Sequence, residues 1–182
     1  MDLKGTCAIV TGGGRGIGSV TALQLAEAGA RVVVVARSTN EIDAVAGEVK
    51  KAGGEAIARQ ADCVDPGSMR AVVDEAIDLY GGVEILVNNA GIATGGPLEF
   101  VEINELRRQF EVNVFGLIEV TQAMMPLLRR TRGRIINIGS IAGKVSTPFM
   151  GPYCASKHAL EAITDAQRME LEPWGMWSCV VE

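Results

Sequence analysis

Six short apolar runs rich in Val and Ile punctuate the chain: Cys7 to Thr11, Arg31 to Ala36, Glu55 to Ala61, Ile85 to Asn88, Arg134 to Gly139 and Ser178 to Val181. Each is of strand length, and the strongest of them, around Val32–Val35, is continuously apolar rather than alternating. That pattern belongs to strands buried on both faces. Between the runs, apolar positions recur at helical spacing over about 17–29, 39–53, 67–80, 103–130 and 153–172. Regular alternation of this kind predicts an α/β fold: a Rossmann-like, doubly wound parallel sheet with helices on both faces, its crossovers right-handed. The long pattern at 103–130 is apolar on more than one side, through Phe110, Val114, Phe115, Leu117, Ile118, Met124 and Met125. Core packing and a second face buried in a homo-oligomer explain it equally well.

A chain of 182 residues with 48% hydrophobic content suits one domain, residues 1–182, with a full core. No internal repeat or linker interrupts it. Gly95-Gly96-Pro97 and the stretch from Lys144 to Pro152 read as loops. The net charge is −5, and the densest basic group, Arg129, Arg130, Arg132 and Arg134, falls where a helix would end in a turn, a setting that favours cations. No nucleic-acid partner is expected. The longest apolar run, Val32 to Ala36, is far short of a membrane span, so no membrane partner is expected either. Met1-Asp2-Leu3-Lys4-Gly5 lacks the order of a signal peptide. Cys7, Cys63, Cys154 and Cys179 are scattered without metal-ligand spacing, which argues against metal and disulfides and for a reducing, cytoplasmic setting.

Chemistry enters at two places. Thr11-Gly12-Gly13-Gly14-Arg15-Gly16-Ile17-Gly18 follows the first strand and leads into a helix. Glycines there let a pyrophosphate approach main-chain amides at a helix N-terminus, where the dipole favours negative charge. The second strand ends in Ala36-Arg37-Ser38 with no carboxylate before Glu41. An acidic residue at that place suits NAD, whereas an arginine suits the extra phosphate of NADP, so Arg37 together with Arg15 points to NADP(H) over NAD(H). The second place is Tyr153-Cys154-Ala155-Ser156-Lys157, thirteen residues after Ser140. Helical spacing of four puts phenol and ammonium on one face. A phenol ordinarily titrates near pH ~10, so it works as a general acid or base at neutral pH only where a nearby cation favours its anion. Singly, Ser140, Asn113, Tyr153 and Lys157 each have a plain structural explanation; with a dinucleotide turn upstream, the functional one prevails. His158, the only histidine, lies about 100° around the helix from Lys157 and reads as packing or surface. Cys154 reads as structural. Trp174 and Trp177 either cover the end of the sheet or reach a neighbouring subunit.

In these segments, with Asn88-Asn89-Ala90-Gly91 and Asn113 in the long helix, the chain resembles the classical short-chain dehydrogenases/reductases along its full length. The resemblance implies an NAD(P)-dependent oxidoreductase that interconverts a secondary alcohol and a ketone, with Asn113, Ser140, Tyr153 and Lys157 as catalytic residues. It implies cofactor contacts at Gly12, Arg15, Gly16, Ile17, Gly18, Arg37, Asp62, Cys63, Asn89, Ala90, Gly91, Tyr153 and Lys157, and a sheet-stabilising role for Asn88. The substrate it suggests is a fairly apolar small molecule, steroid- or retinoid-like at the large end, and the assembly a homodimer or homotetramer. Extended-type epimerases differ in the first glycine turn, and divergent enoyl reductases space tyrosine and lysine further apart. Family members continue past the sixth strand with a substrate loop and a seventh strand. The chain is therefore expected to be truncated, which keeps open a second reading, a dinucleotide-binding module without turnover.

Overall fold

A computed structural model describes residues 3–182; Met1 and Asp2, part of the segment read for a leader, lie outside the described residues. Six strands, β1 (Cys7–Thr11), β2 (Arg31–Ala36), β3 (Glu55–Gln60), β4 (Ile85–Asn88), β5 (Arg134–Ile138) and β6 (Trp177–Val181), form one sheet in the order β3-β2-β1-β4-β5-β6. Every neighbouring pair is parallel, with Ile9 level with Val33 on one side and Leu86 on the other. Chain order reverses between β1 and β4. Their carboxyl ends therefore diverge into a crevice, the usual ligand position in such sheets.

The helices are α1 (Gly16–Glu27), α2 (Thr39–Lys51), α3 (Pro66–Tyr80), α4 (Ile103–Phe110), α5 (Leu117–Thr131) and α6 (Gly151–Leu171). Strand side chains alternate between two apolar layers. Ala8, Val10, Val32 and Val34 meet Ala22 and Ala26 of α1 and Ile42, Val45 and Val49 of α2. Cys7, Ile9, Val33, Leu86 and Ile135 meet Met69 and Val72 of α3 and Val120, Met124 and Leu128 of α5. Local chemistry sets the helix ends. Asp65 accepts a hydrogen bond from the Gly67 amide at 3.0 Å, Pro66 opens α3, and Gly81 closes it at φ +82. Arg129 and Arg130 occupy the last turn of α5, and Arg132 its left-handed cap, as the basic cluster suggested.

Three expectations need correction. The helix read as continuous over 103–130 is two helices joined by a π-helical stretch, Glu111–Gly116, that contains Asn113. Nothing in the local sequence announces it, because its cause is long-range: the Asn113 side chain is tied to Ile92 and Ser156. Secondly, α6 begins at Gly151, so Pro152 belongs to the helix rather than the loop; proline fits the first turn, where its missing amide costs nothing. Thirdly, β3 stops at Gln60, β5 at Ile138, α1 at Glu27 and α2 at Lys51, each one or two residues short of its apolar run.

Candidate active site

The glycine turn wraps the carboxyl end of β1. Gly12 has φ +61, and a Cβ there would stand 2.9 Å from Ala90 Cα and 3.0 Å from Asn89 Nδ2. Gly18, in the first turn of α1, faces Asn89 Nδ2 and the Gly12 carbonyl so closely that any side chain would collide with them. Asn89 holds this approach, its Nδ2 donating to the carbonyls of Thr11 and Gly12 at 3.0 Å each. Thr11 returns the link through Oγ1, which accepts from the amides of Asn89 and Ala90 at 3.0 and 3.2 Å. The ends of β1 and β4 are thus locked together under the crevice.

The crevice is a cleft of about 490 Å³ lined by the glycine turn, the ends of β2 and β3, and the segment after β4. It brings together Gly12, Arg15, Gly16, Ile17, Arg37, Asp62, Cys63, Asn89, Ala90 and Gly91. Gly18, Tyr153 and Lys157, also expected to touch a cofactor, do not line it: Gly18 lies beneath the turn, and the other two sit on α6. Sequence reasoning missed Ser38, Glu41, Ile92 and Val112. Glu41 was noted only as the first carboxylate after β2, yet it stands in the cleft 3.9 Å from the Arg15 guanidinium, while Arg37 is 3.9 Å from Asp62. Both arginines are mostly exposed, so these pairs are weak and leave the guanidiniums available to an anion. Ser38 precedes α2 without a side-chain bond to its amides. Two cations, a hydroxyl and a free helix N-terminus suit a phosphate, and the glycine turn suits a pyrophosphate. The residues present fit NADP(H).

Beyond the cleft, Tyr153 and Lys157 share one face of α6, with Lys157 Nζ 5.8 Å from the Tyr153 ring centroid. Lys157 is buried and donates to the Ile138 carbonyl at the end of β5, 2.7 Å away. Burial pushes its ammonium pKa down, and the Glu161 carboxylate opposes that shift. Ser140 follows β5 directly. Its Oγ accepts from the Ala142 amide at 3.2 Å, which leaves the single O–H free to donate. Asn113 is buried in the π-helical stretch: Oδ1 accepts from the Ile92 amide at 2.9 Å, and Nδ2 donates to the Ile92 carbonyl at 2.9 Å and to Ser156 Oγ at 3.0 Å. It therefore ties the segment after β4 to the helix carrying Tyr153.

The remaining residues fall into place around this frame. Asn88 is buried and donates to Thr121 Oγ1 at 3.0 Å and Asn137 Oδ1 at 2.9 Å, and Asn137 continues to Thr164 at 2.9 Å. This is a polar chain through the sheet rather than part of the cleft. His158 is exposed, its Nδ1 2.9 Å from the Cys154 carbonyl, and Cys154 is buried. Trp174 carries Arg129 at 4.6 Å from its ring centroid. Among the described residues no group of three or more His, Cys, Asp and Glu side chains could hold a metal, and no helix is long and apolar enough to cross a membrane.

Comparison with known proteins agrees with this geometry. The family described as short chain dehydrogenase matches residues 6–181. The chain is 38% identical over 180 residues to the ketoacyl reductase HetN of Nostoc sp. strain PCC 7120, covering 98% of this chain and 63% of that protein. It is 34% identical over 175 residues to 3-ketodihydrosphingosine reductase of Bacteroides thetaiotaomicron, covering 96% and 61%. The chain thus spans about three-fifths of the length of these curated relatives. A metagenomic short-chain oxidoreductase crystallised in complex with NADP superposes with a TM-score of 0.93 at 34% identity, over 99% of this chain and 82% of that one. A doubly wound sheet with a glycine cradle at its switch point and tyrosine and lysine one helical turn apart, matched over nearly all its length, means that this chain belongs to the short-chain dehydrogenase family.

Proposed function

We propose that the protein containing this chain is an NADP(H)-dependent oxidoreductase interconverting a secondary alcohol and a ketone, with Tyr153 as general acid or base. The observation that carries this reading is the placement of Tyr153 and Lys157 on one helix face beyond a cleft lined by the glycine turn. NADP(H), when bound, supplies or accepts the hydride. Gly12 and Gly16 of the turn, Asp62, Asn89, Ala90 and Gly91 would hold it, and Arg15 and Arg37 would meet its extra phosphate.

The chain's own groups manage one proton. In the reductive direction the Tyr153 hydroxyl donates its proton to the carbonyl oxygen, while the free O–H of Ser140 donates a second hydrogen bond to the same atom. In the oxidative direction Tyr153 takes the proton as phenolate, an anion that the Lys157 ammonium favours. One Lys157 proton is engaged by Ile138, leaving two for ribose hydroxyls or water. The Asn113 side chain is committed to Ile92 and Ser156, so a water linking Lys157 to solvent would be held by its main chain.

A fairly apolar ketone or alcohol fits best. Ile141, Val145 and Phe149, between Ser140 and α6, and Leu98 and Phe100, after β4, expose apolar side chains. The two curated relatives named above also carry the names of reductases of ketoacyl and ketosphingoid compounds. A cytoplasmic location and a homodimer or homotetramer complete the proposal. The test is a panel of carbonyl compounds assayed for NADPH oxidation, with NADPH and NADH titrated in parallel. NADPH should bind more tightly than NADH, and Arg37→Ala should remove most of the difference, about tenfold for one lost charge-assisted contact. Equal affinities defeat the cofactor preference. Tight NADPH binding with no compound reduced favours a binding module without turnover.

A further inference from the structure

One helical turn beyond Lys157 on α6 stands Glu161, a residue with no part in the mechanism above. It is only 8% exposed, packed beneath the turn that carries Ser140: a Cβ on Gly143 would lie 3.1 Å from its Oε1, and one on Gly139 3.4 Å. Its Oε2 accepts a hydrogen bond from Lys144 Nζ at 2.8 Å, and the same ammonium lies 3.2 Å from Glu182 Oε1. Its Oε1 is buried without any hydrogen-bond partner. An anionic oxygen left bare in a low-dielectric setting exerts a field that water does not screen. The buried cation on the same helix face, four residues back, is Lys157.

The elements packed against α6 bring the other ionisable groups. The turn after β5 brings Lys144, and β6 leads to Glu182 and carries the half-buried Cys179. The ionisable side chains of α4 and the π-helical stretch, Glu105, Arg107, Arg108 and Glu111, are exposed, as is Glu172 after α6. Glu161 is thus the buried carboxylate on this helix face.

We infer that Glu161 is a positioning residue of the site: its buried carboxylate is the counter-charge to Lys157 on α6 and, through Lys144, ties the turn bearing Ser140 to the helix bearing Tyr153. Its significance rests on the reading of Tyr153 and Lys157 given above. This placement accords with the opposing effects on Lys157, where burial disfavours the ammonium and Glu161 favours it. Lys144 then acts as the counter-ion that partly spends the Glu161 field.

This arrangement makes two substitutions act in opposite directions. Lysine side-chain NMR resonances, titrated with pH in the parent chain, Glu161→Gln and Lys144→Met, report Lys157 directly once assigned with Lys157→Arg. Glu161→Gln keeps shape and removes charge, so the Lys157 midpoint should fall by roughly one pH unit. Lys144→Met leaves the carboxylate unshared, so the midpoint should rise. A merely structural link would move both the same way, or neither. A Lys157 midpoint within about 0.2 unit of the parent in Glu161→Gln, or a fall in Lys144→Met, overturns the inference. Lys144 is half-exposed, so its variant is expected to fold even if the Glu161 variant does not. The titration needs neither substrate nor turnover. An unmoved midpoint with turnover lost in Tyr153→Phe overturns this inference alone; opposed shifts with Tyr153→Phe fully active support it and overturn the catalytic reading instead.

Discussion

Replacing Gly12 with alanine probes how tightly the ends of β1 and β4 are closed around the nucleotide cradle. Gly12 holds φ +61, which an L residue adopts at a cost of about 1–2 kcal/mol. The new Cβ would lie 2.9 Å from Ala90 Cα, 3.0 Å from Asn89 Nδ2 and 3.1 Å from Ala90 N. Two of these three are main-chain atoms just past β4, and β4 is paired with β1, so retreat would strain the ladder. Overpacking of this kind adds about 1–3 kcal/mol, for a sum of roughly 2–5. In a chain of this size each kcal/mol lowers Tm by about 2–4 °C, so a mid-range loss of ~3 kcal/mol means a fall of about 6–12 °C. Gly47, inside α2 with nothing within 4 Å of its would-be Cβ, is the internal control. Gly47→Ala should stabilise by about 0.5–1 kcal/mol. Thermal unfolding followed by circular dichroism on both variants tests the contrast, with NADPH titration of Gly12→Ala expected to show weakened binding. A Gly12→Ala chain melting within about 1 °C of the parent would refute the close-approach argument.

Further expectations concern Asn113 and Lys157. Asn113→Ala deletes hydrogen bonds to the Ile92 amide, the Ile92 carbonyl and Ser156, and should cost roughly 2–4 kcal/mol in urea denaturation; a loss below ~1 kcal/mol would show that this tie is dispensable. Asn113→Asp should fare no better, because it sets an anion against the Ile92 carbonyl. Burial lowers the Lys157 pKa from 10.5, so the folded chain releases that proton before the unfolded chain does. The parent should therefore gain stability as pH rises from the lowered value to 10.5, with the burial penalty fully present below that window. Lys157→Met should abolish this rise; an unchanged slope would assign the rise to other groups.

Strand positions were legible because a sheet buried on both faces demands continuous Val and Ile, as in β2, and because glycines mark where β1 must turn. The glycine turn, Arg37 and the Tyr153–Lys157 pair were legible for the same reason, since each rests on spacing within one segment; Asp62 came from the family resemblance alone. What escaped depends on contacts between distant segments. The π-helical stretch at Asn113 follows from a bond to Ile92, 21 residues earlier, and one to Ser156, 43 residues later. The polar chain from Thr121 through Asn88 and Asn137 to Thr164 likewise joins two strands and two helices. Glu41 was visible in the sequence, but its place in the cleft depends on how α2 docks against the glycine turn; a Cβ on Gly14 would meet Glu41 Cβ at 2.9 Å. The Lys144–Glu161–Glu182 cluster had no local signature at all.

The most direct test of the account compares the protein containing this chain with its Tyr153→Phe variant on the ketone most rapidly reduced, with NADPH affinity measured alongside. Loss of the phenol proton should cut kcat by about 10²–10⁴ while NADPH affinity stays within about twofold. Turnover surviving in Tyr153→Phe would contradict the central claim that this hydroxyl, beside Lys157, transfers the proton.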